Sequence, residues 1–182
     1  MKRVVPLAER PLHRWECSKA SDTNELLGKT LKLTLTGIKM SKQHVYQRSD
    51  YDYFASIDSL WKDMDALGHI NHTVYLTYME TVRMRYRKHL GIDDNRRDAK
   101  IGYILASVKI DYIRQARHPA TFDIGERICR VGNSSFDTLT AVFIEDEDSP
   151  VVQARFTLVA YSYTDEMTVS VPDAVRKACR CL

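Results

Sequence analysis

Between Asp63 and His72 the chain crowds two carboxylates, a glycine, two imidazoles and an amide into ten positions: Asp63, Asp65, Gly68, His69, Asn71 and His72. The residues that follow have helical spacing, so the cluster stands where a strand hands over to a helix. The first N–H groups of a helix have no partner inside it and carry the positive end of its dipole. A carboxylate held beside them has what is needed to polarise a carbonyl group and attack it. Asp65 can do so as a nucleophile or as the base that deprotonates a water; the plainer role of capping the helix or the loop also stands open. Gly68 suits a sharp turn that requires positive φ.

Periodicity supplies the elements that must hold this cluster. Tyr51–Trp61 is rich in aromatic and β-branched residues and predicts a first strand. From Thr73 to Leu90, Val74, Tyr78, Val82 and Tyr86 recur every four residues with Tyr75 and Met79 on a neighbouring flank, which predicts one helix of about five turns. Arg83, Arg85, Arg87 and Lys88 fill the remainder of that helix and Gly91 ends it. The rest reads as antiparallel sheet over 101–114, 121–131, 136–144 and 151–163, with turns at His118-Pro119, Gly132-Asn133 and Glu145–Pro150. In the first of these runs Ile104, Ala106, Val108, Ile110 and Tyr112 form one face and Ser107, Lys109 and Asp111 the other. A short helix opens at Pro172. One helix cannot cover both faces of five strands, so the economical α+β arrangement wraps the sheet around it, and unpaired sheet edges favour dimerisation.

Composition bounds the function. With 182 residues, 44% hydrophobic and 28% charged, the expectation is one soluble domain, and no apolar run is long enough to cross a bilayer. The net charge of +3 divides as ten basic against five acidic residues over 1–50 (+5) and 17 against 19 over 51–182 (−2). The basic excess therefore belongs to the leader, and with aromatic residues absent from any basic cluster it does not describe a nucleic-acid surface. Within the leader, Leu31–Thr36 alternates like a strand and 38–50 is polar and linker-like, so 1–49 reads as an extension and 50–182 as the domain. Lys2, Arg3, Arg10 and Arg14 outline a mitochondrial import signal that Pro6 and Pro11 interrupt, so a cytoplasmic location is expected. Cys17, Cys129, Cys179 and Cys181 lack zinc-like C-x-x-C spacing and predict free thiols in a reducing compartment. Cys179–Leu182 formally fits a prenylation box, although Arg180 occupies a usually aliphatic position.

The D-x-D-x-x-G-H-x-N run, the aromatic-lined helix and the four strands after it resemble the hot-dog fold acyl-CoA thioesterases of the 4-hydroxybenzoyl-CoA thioesterase type. Asp65, Gly68, Tyr75 and Glu80 match that family's aspartate, glycine, tyrosine and helical glutamate in spacing, and Val108–Arg114 and Arg130–Ser135 look like its second strand and third turn. The resemblance covers about 50–178. It implies a five-stranded antiparallel sheet curled around one long helix, a homodimer or dimer of dimers with sites between subunits, and cleavage of acyl-CoA or acyl-carrier thioesters. No metal or resident cofactor is expected; coenzyme A enters as part of the substrate.

On that resemblance Asp65 is the catalytic carboxylate, the oxyanion site comes from main-chain N–H groups around Asn71, His72 and Thr73, and the His72 side chain can contact substrate. Asn71 can cap the helix or position water. Asp63 and His69 brace the loop, and Glu80 is a reserve carboxylate expected in a buried or interfacial hydrogen bond. Tyr75 belongs to the core or lines the acyl pocket. Lys109, Arg114, Arg117 and Arg130, with Ser134, are the candidates for coenzyme A. The expected activity is thioester hydrolysis; the alternatives are a hydratase or dehydratase of the same fold and a non-catalytic thioester-binding scaffold.

Overall fold

Helix α1 (His72–His89) is set off by Asn71, whose extended backbone and side-chain oxygen, accepting from the Thr73 amide at 3.0 Å, cap its first turn. It stops at Gly91, which adopts φ +73°, while the amides of Leu90, Gly91 and Ile92 close onto carbonyls of the last turn. The computed structural model describes residues 44–92 and 101–181. The strand expected at Leu31–Thr36, the basic leader and Cys17 lie outside them. Residues Lys42–Leu182 form one compact unit.

Five long strands make one antiparallel sheet: β1 (Tyr53–Asp58), β2 (Ile101–Tyr112), β3 (Thr121–Val131), β4 (Ser135–Ile144) and β5 (Pro150–Ser162). Their order is β1-β3-β4-β5-β2, and the two-residue β6 (Met167–Thr168) adds to the end of β5. The inner face carries two apolar clusters. The N-terminal half of α1, through Tyr75, Tyr78, Met79 and Val82, packs with Phe122, Ile124, Val142, Val152 and Phe156. The C-terminal half, through Tyr86, packs with Ile128, Phe136 and Leu158, and helix α2 (Asp173–Lys177) closes that end with Val175.

Three local features differ from expectation. Strand β2 shifts register between Leu105 and Ser107, so Ala106 is bulged and the two halves of the strand turn opposite parities inward. Tyr103 and Leu105 share the inner face with Ala160 and Leu158, and Val108 and Ile110 with Phe156 and Ala154, whereas Ile104 faces outward beside Val159. Residues 44–50, whose polarity suggested a linker, run across the outer face of the sheet. There the Gln153 side chain accepts from the Tyr46 amide and donates to the His44 carbonyl, and Tyr46 packs on Tyr51, Cys129, Leu139, Ala141 and Phe143. Finally, Arg83 and Arg87 are buried rather than solvated, at 3% and 5% exposure. Their guanidinium groups lie over the rings of Phe156 (4.3 Å) and Tyr103 (5.0 Å), close to the fully buried Glu126 that faces the helix from β3.

Candidate functional site

The loop from Met64 to Ile70 is a tight turn closed by a bridge between those two residues, by the Asp65 amide on the His69 carbonyl (2.8 Å) and by the Gly68 amide on the Asp65 carbonyl (3.0 Å). Gly68 makes the turn at φ +75°. Inside it, Oδ1 of Asp65 accepts from the amides of Leu67 (2.8 Å) and His69 (3.2 Å). Those bonds, the His69 amide foremost, hold the Asp65 carboxyl below its ordinary range and keep it ionised. Among the described residues Oδ2 of Asp65 accepts no hydrogen bond, so one oxygen fixes the loop and the other is available.

Two neighbouring segments hold this loop in place. Asp63 is buried; its Oδ2 accepts from the Tyr78 hydroxyl (2.5 Å) and the Leu60 amide (2.7 Å), and its carbonyl accepts from the Asn71 amide (2.8 Å). The turn is thereby tied to α1 from beneath. From the side, the Ala116 carbonyl accepts from the Ile70 amide (2.9 Å), and Arg117 donates to Nε2 of His69 (3.2 Å). A guanidinium only donates, so Nε2 of His69 is the accepting nitrogen of that ring.

The first turn of α1 offers fewer open donors than its sequence implied. The Asn71 amide is taken by Asp63 and the Thr73 amide by the Asn71 side chain. Of the three expected donors, the His72 N–H alone makes no hydrogen bond among the described residues. The exposed His72 ring stands edge-on to Tyr112 (6.2 Å between centroids), whose hydroxyl donates to the His72 carbonyl at 3.1 Å. Tyr112 also touches Tyr75, which is buried against Phe122 as a core residue and whose hydroxyl burial pushes up to about 12. Tyr112 escaped notice in the sequence because it looked like one more inward residue of β2; its signal was its position as the last residue of that strand.

The basic candidates separate. Arg117 is at the loop. Arg114 is turned to the β4–β5 connection, paired with Glu147 (2.5 Å) and the Ser149 carbonyl (2.8 Å). Arg130 forms a bidentate pair with Asp137 (2.7 and 3.0 Å) on the outer face, and Lys109 is exposed on that same face opposite Arg155. The Ser134 carbonyl accepts from Ala160 near the end of the sheet that packs the C-terminal half of α1. That is about 25 Å along the helix from its start, since 18 residues rise 1.5 Å each. Within one chain, Arg130 and Ser134 thus do not join Asp65. Glu80 is exposed, not buried among apolar neighbours. An open groove of about 520 Å³ between β1 and α1 is lined by Asp58, Lys62, Asp63, Tyr78 and Arg85, among others, and Asp65 is not in its wall. Among the described residues no cluster of three or more His, Cys, Asp or Glu is arranged to hold a metal.

Comparison with known proteins gives one family. The description "thioesterase-like superfamily" belongs to the family model that matches residues 59–179. Among solved structures, the PA5185 protein from Pseudomonas aeruginosa strain PAO1 is 27% identical, with 74% of this chain and 94% of that one covered and a TM-score of 0.68. The PA2801 protein of Pseudomonas aeruginosa is 28% identical, covering 69% and 95%, with a TM-score of 0.64. A thioesterase from Thermus thermophilus, complexed with coenzyme A and Zn, shares the fold at 23% identity, covering 70% and 97%, with a TM-score of 0.58.

Proposed function

This chain belongs to the thioesterase-like superfamily, and from that premise we propose that it hydrolyses an acyl-CoA thioester with Asp65 as the reacting carboxylate. The observation that carries the proposal is the division of labour at residues 65 and 72. One Asp65 oxygen is fixed by two backbone amides and the other accepts nothing among the described residues, while the His72 amide is the open donor of the helix start. A thioester carbonyl bound between them meets an anion on one side and a peptide N–H, backed by the helix dipole, on the other. Asp65 either attacks the carbonyl carbon or takes a proton from a water that does. In both routes water is consumed, the C–S bond breaks, and the products are a carboxylic acid and coenzyme A thiol. No resident metal or cofactor takes part.

The choice of coenzyme A as carrier is supported by Arg117 beside the loop, and by the coenzyme bound to the Thermus thermophilus protein of the same fold. The site lies next to β2, an edge strand that pairs only with β5 among the described strands. That strand leaves Ile101, Ile104, Leu105, Val108 and Tyr112 at 40–47% exposure. A homodimer joined along this edge covers those side chains, satisfies the open backbone groups and brings a second chain to each Asp65. No helix among the described residues is long and apolar enough to cross a membrane.

A panel of acyl-CoAs of varied chain length, assayed for thiol release with and without a chelator, tests the proposal. Asp65→Asn keeps a side-chain carbonyl oxygen for the Leu67 and His69 amides, so the loop stays folded while the charge is lost. Thiol release should fall by about two to four powers of ten and be indifferent to the chelator. Undiminished release from the variant overturns the role of Asp65. An enoyl product without free thiol points instead to a dehydratase, and coenzyme A binding without turnover to a scaffold.

A further inference from the structure

The C-terminal segment holds a pair of sulfur nucleophiles that the thioester chemistry does not use. Beyond α2 the chain runs along the part of the β3 edge that β1 leaves open: Cys179 bridges Ile128 in parallel, and the Arg180 amide donates to the Ile128 carbonyl at 3.0 Å. Arg127 donates to the Arg180 carbonyl, and the Arg180 guanidinium pairs with Asp52. The backbone between the two cysteines is therefore anchored from both flanks. Across it, Sγ of Cys179 and Sγ of Cys181 are 3.5 Å apart, with Cys181 exposed and Cys179 partly buried against the cluster of Tyr86, Ile128 and Phe136.

We propose that Cys179 and Cys181 form a dithiol that closes reversibly into an intrachain disulfide by exchange with a small-molecule disulfide. A disulfide needs the sulfurs about 2 Å apart, so closure asks for roughly 1.5 Å of approach, which rotation of the exposed Cys181 side chain supplies. The Cys181 thiolate attacks one sulfur of the small disulfide, forming a mixed disulfide and expelling one thiolate. The Cys179 thiolate then attacks the Cys181 sulfur and expels the second. The two protons pass to the expelled thiolates, so the protein loses two hydrogens and two electrons and the reagent becomes two thiols. Burial, followed by the contact with Cys181, pushes the Cys179 thiol up to about 11. Burial still acts once Cys181 carries the mixed disulfide, so the second step is slow at neutral pH and quickens as the pH rises, because the thiolate is the attacking form. Closure locks the chain across Arg180, the residue whose amide bonds the Ile128 carbonyl, and reduction frees it.

The full chain, exposed to oxidised glutathione at pH 7, 8 and 9, then acid-quenched, alkylated and digested with trypsin, tests this directly. Trypsin cuts after Arg180, between the two cysteines. The proposal expects the piece ending at Arg180 and the piece beginning at Cys181 to stay joined until a reductant is added, and to become joined faster at each higher pH. Cys179→Ser should stop at the mixed disulfide on Cys181. Arrest of the unaltered protein at a mixed disulfide at every pH, alkylation of both thiols, or a link from either one to Cys129 overturns the proposal.

Discussion

Replacing Glu126 with Gln should remove a pH dependence from the stability of the fold. Glu126 is fully buried on the inner face of β3, its Oε2 accepts from the Thr140 hydroxyl, and Oε1 has no hydrogen-bond partner among the described residues. Desolvation raises its carboxyl from 4.5 to about 7, against the attraction of Arg83 and Arg87 across the helix interface. Below pH 4.5 the group is protonated in both folded and unfolded chains. Between 4.5 and 7 the unfolded chain ionises first, so unfolding releases a proton and stability falls as pH rises. Above 7 both forms are ionised and the loss is complete. At about 1.4 kcal/mol for each pH unit between those two values, the full loss is about 3.5 kcal/mol. Gln keeps the acceptor for Thr140 and cannot ionise. Urea unfolding at pH 5, 6, 7 and 8, followed by circular dichroism, should show the native protein losing on the order of 2–3 kcal/mol relative to Glu126→Gln. A constant separation between the two curves refutes the reasoning. So does a gain by the native protein with rising pH, because the two arginines would then stabilise ionised Glu126 by more than its desolvation costs.

Three further outcomes follow from the packing. Asp63→Ala strands the buried Tyr78 hydroxyl and the Leu60 amide, so it should cost about 2–4 kcal/mol in urea unfolding and reduce turnover by loosening the Asp65 loop; Asp63→Asn should cost less. A Cβ at Gly125 would sit 2.7 Å from the buried Tyr51 ring, whereas one at Gly102 would meet the exposed Tyr163 ring, which can swing aside. Gly125→Ala should therefore lower the thermal midpoint by several degrees more than Gly102→Ala, as scanning calorimetry can measure. Val108→Lys places a charge among the exposed apolar side chains of β2; on the proposed edge-to-edge pairing, sedimentation equilibrium should show dimer for the native chain and monomer for the variant.

The fold could be read in the sequence wherever an element keeps one period. The helix is bounded by Asn71 and Gly91, and β5 alternates cleanly through Val152, Ala154, Phe156, Leu158 and Ala160. Strand β2 was misjudged because a bulge adds a residue without leaving a compositional mark: Ile104 and Leu105 are both apolar, so either parity looks like an inner face. The outer face was missed for a different reason. Cys129, Leu139, Ala141 and Phe143 could be taken as edge or filler residues until Tyr46 and Tyr51 are seen lying over them, and no local pattern announces a contact across about a hundred positions.

The buried arginines and the start of α1 show where periodicity stops being enough. Tyr75, Met79, Arg83 and Arg87 form a second four-residue line beside Tyr78, Val82 and Tyr86, and Glu126 is a lone acid in the inward series Phe122, Ile124, Ile128. Each charge looks misplaced alone; together they announce a buried polar layer, since a carboxylate on an apolar strand face needs cations opposite. At the helix start the obstacle is competition for amides. Sequence places three donors at residues 71–73 but cannot say which are already occupied, and that depends on Asp63 folding under the turn and on the Asn71 rotamer. The His72 amide is left over because one neighbour bonds the Asp63 carbonyl and the other the capping side chain of Asn71. The bonds that tie the Asp65 loop to α1 and cap its first turn therefore also leave the His72 amide open, and a change at Asp63 or Asn71 should alter the loop and the helix start together.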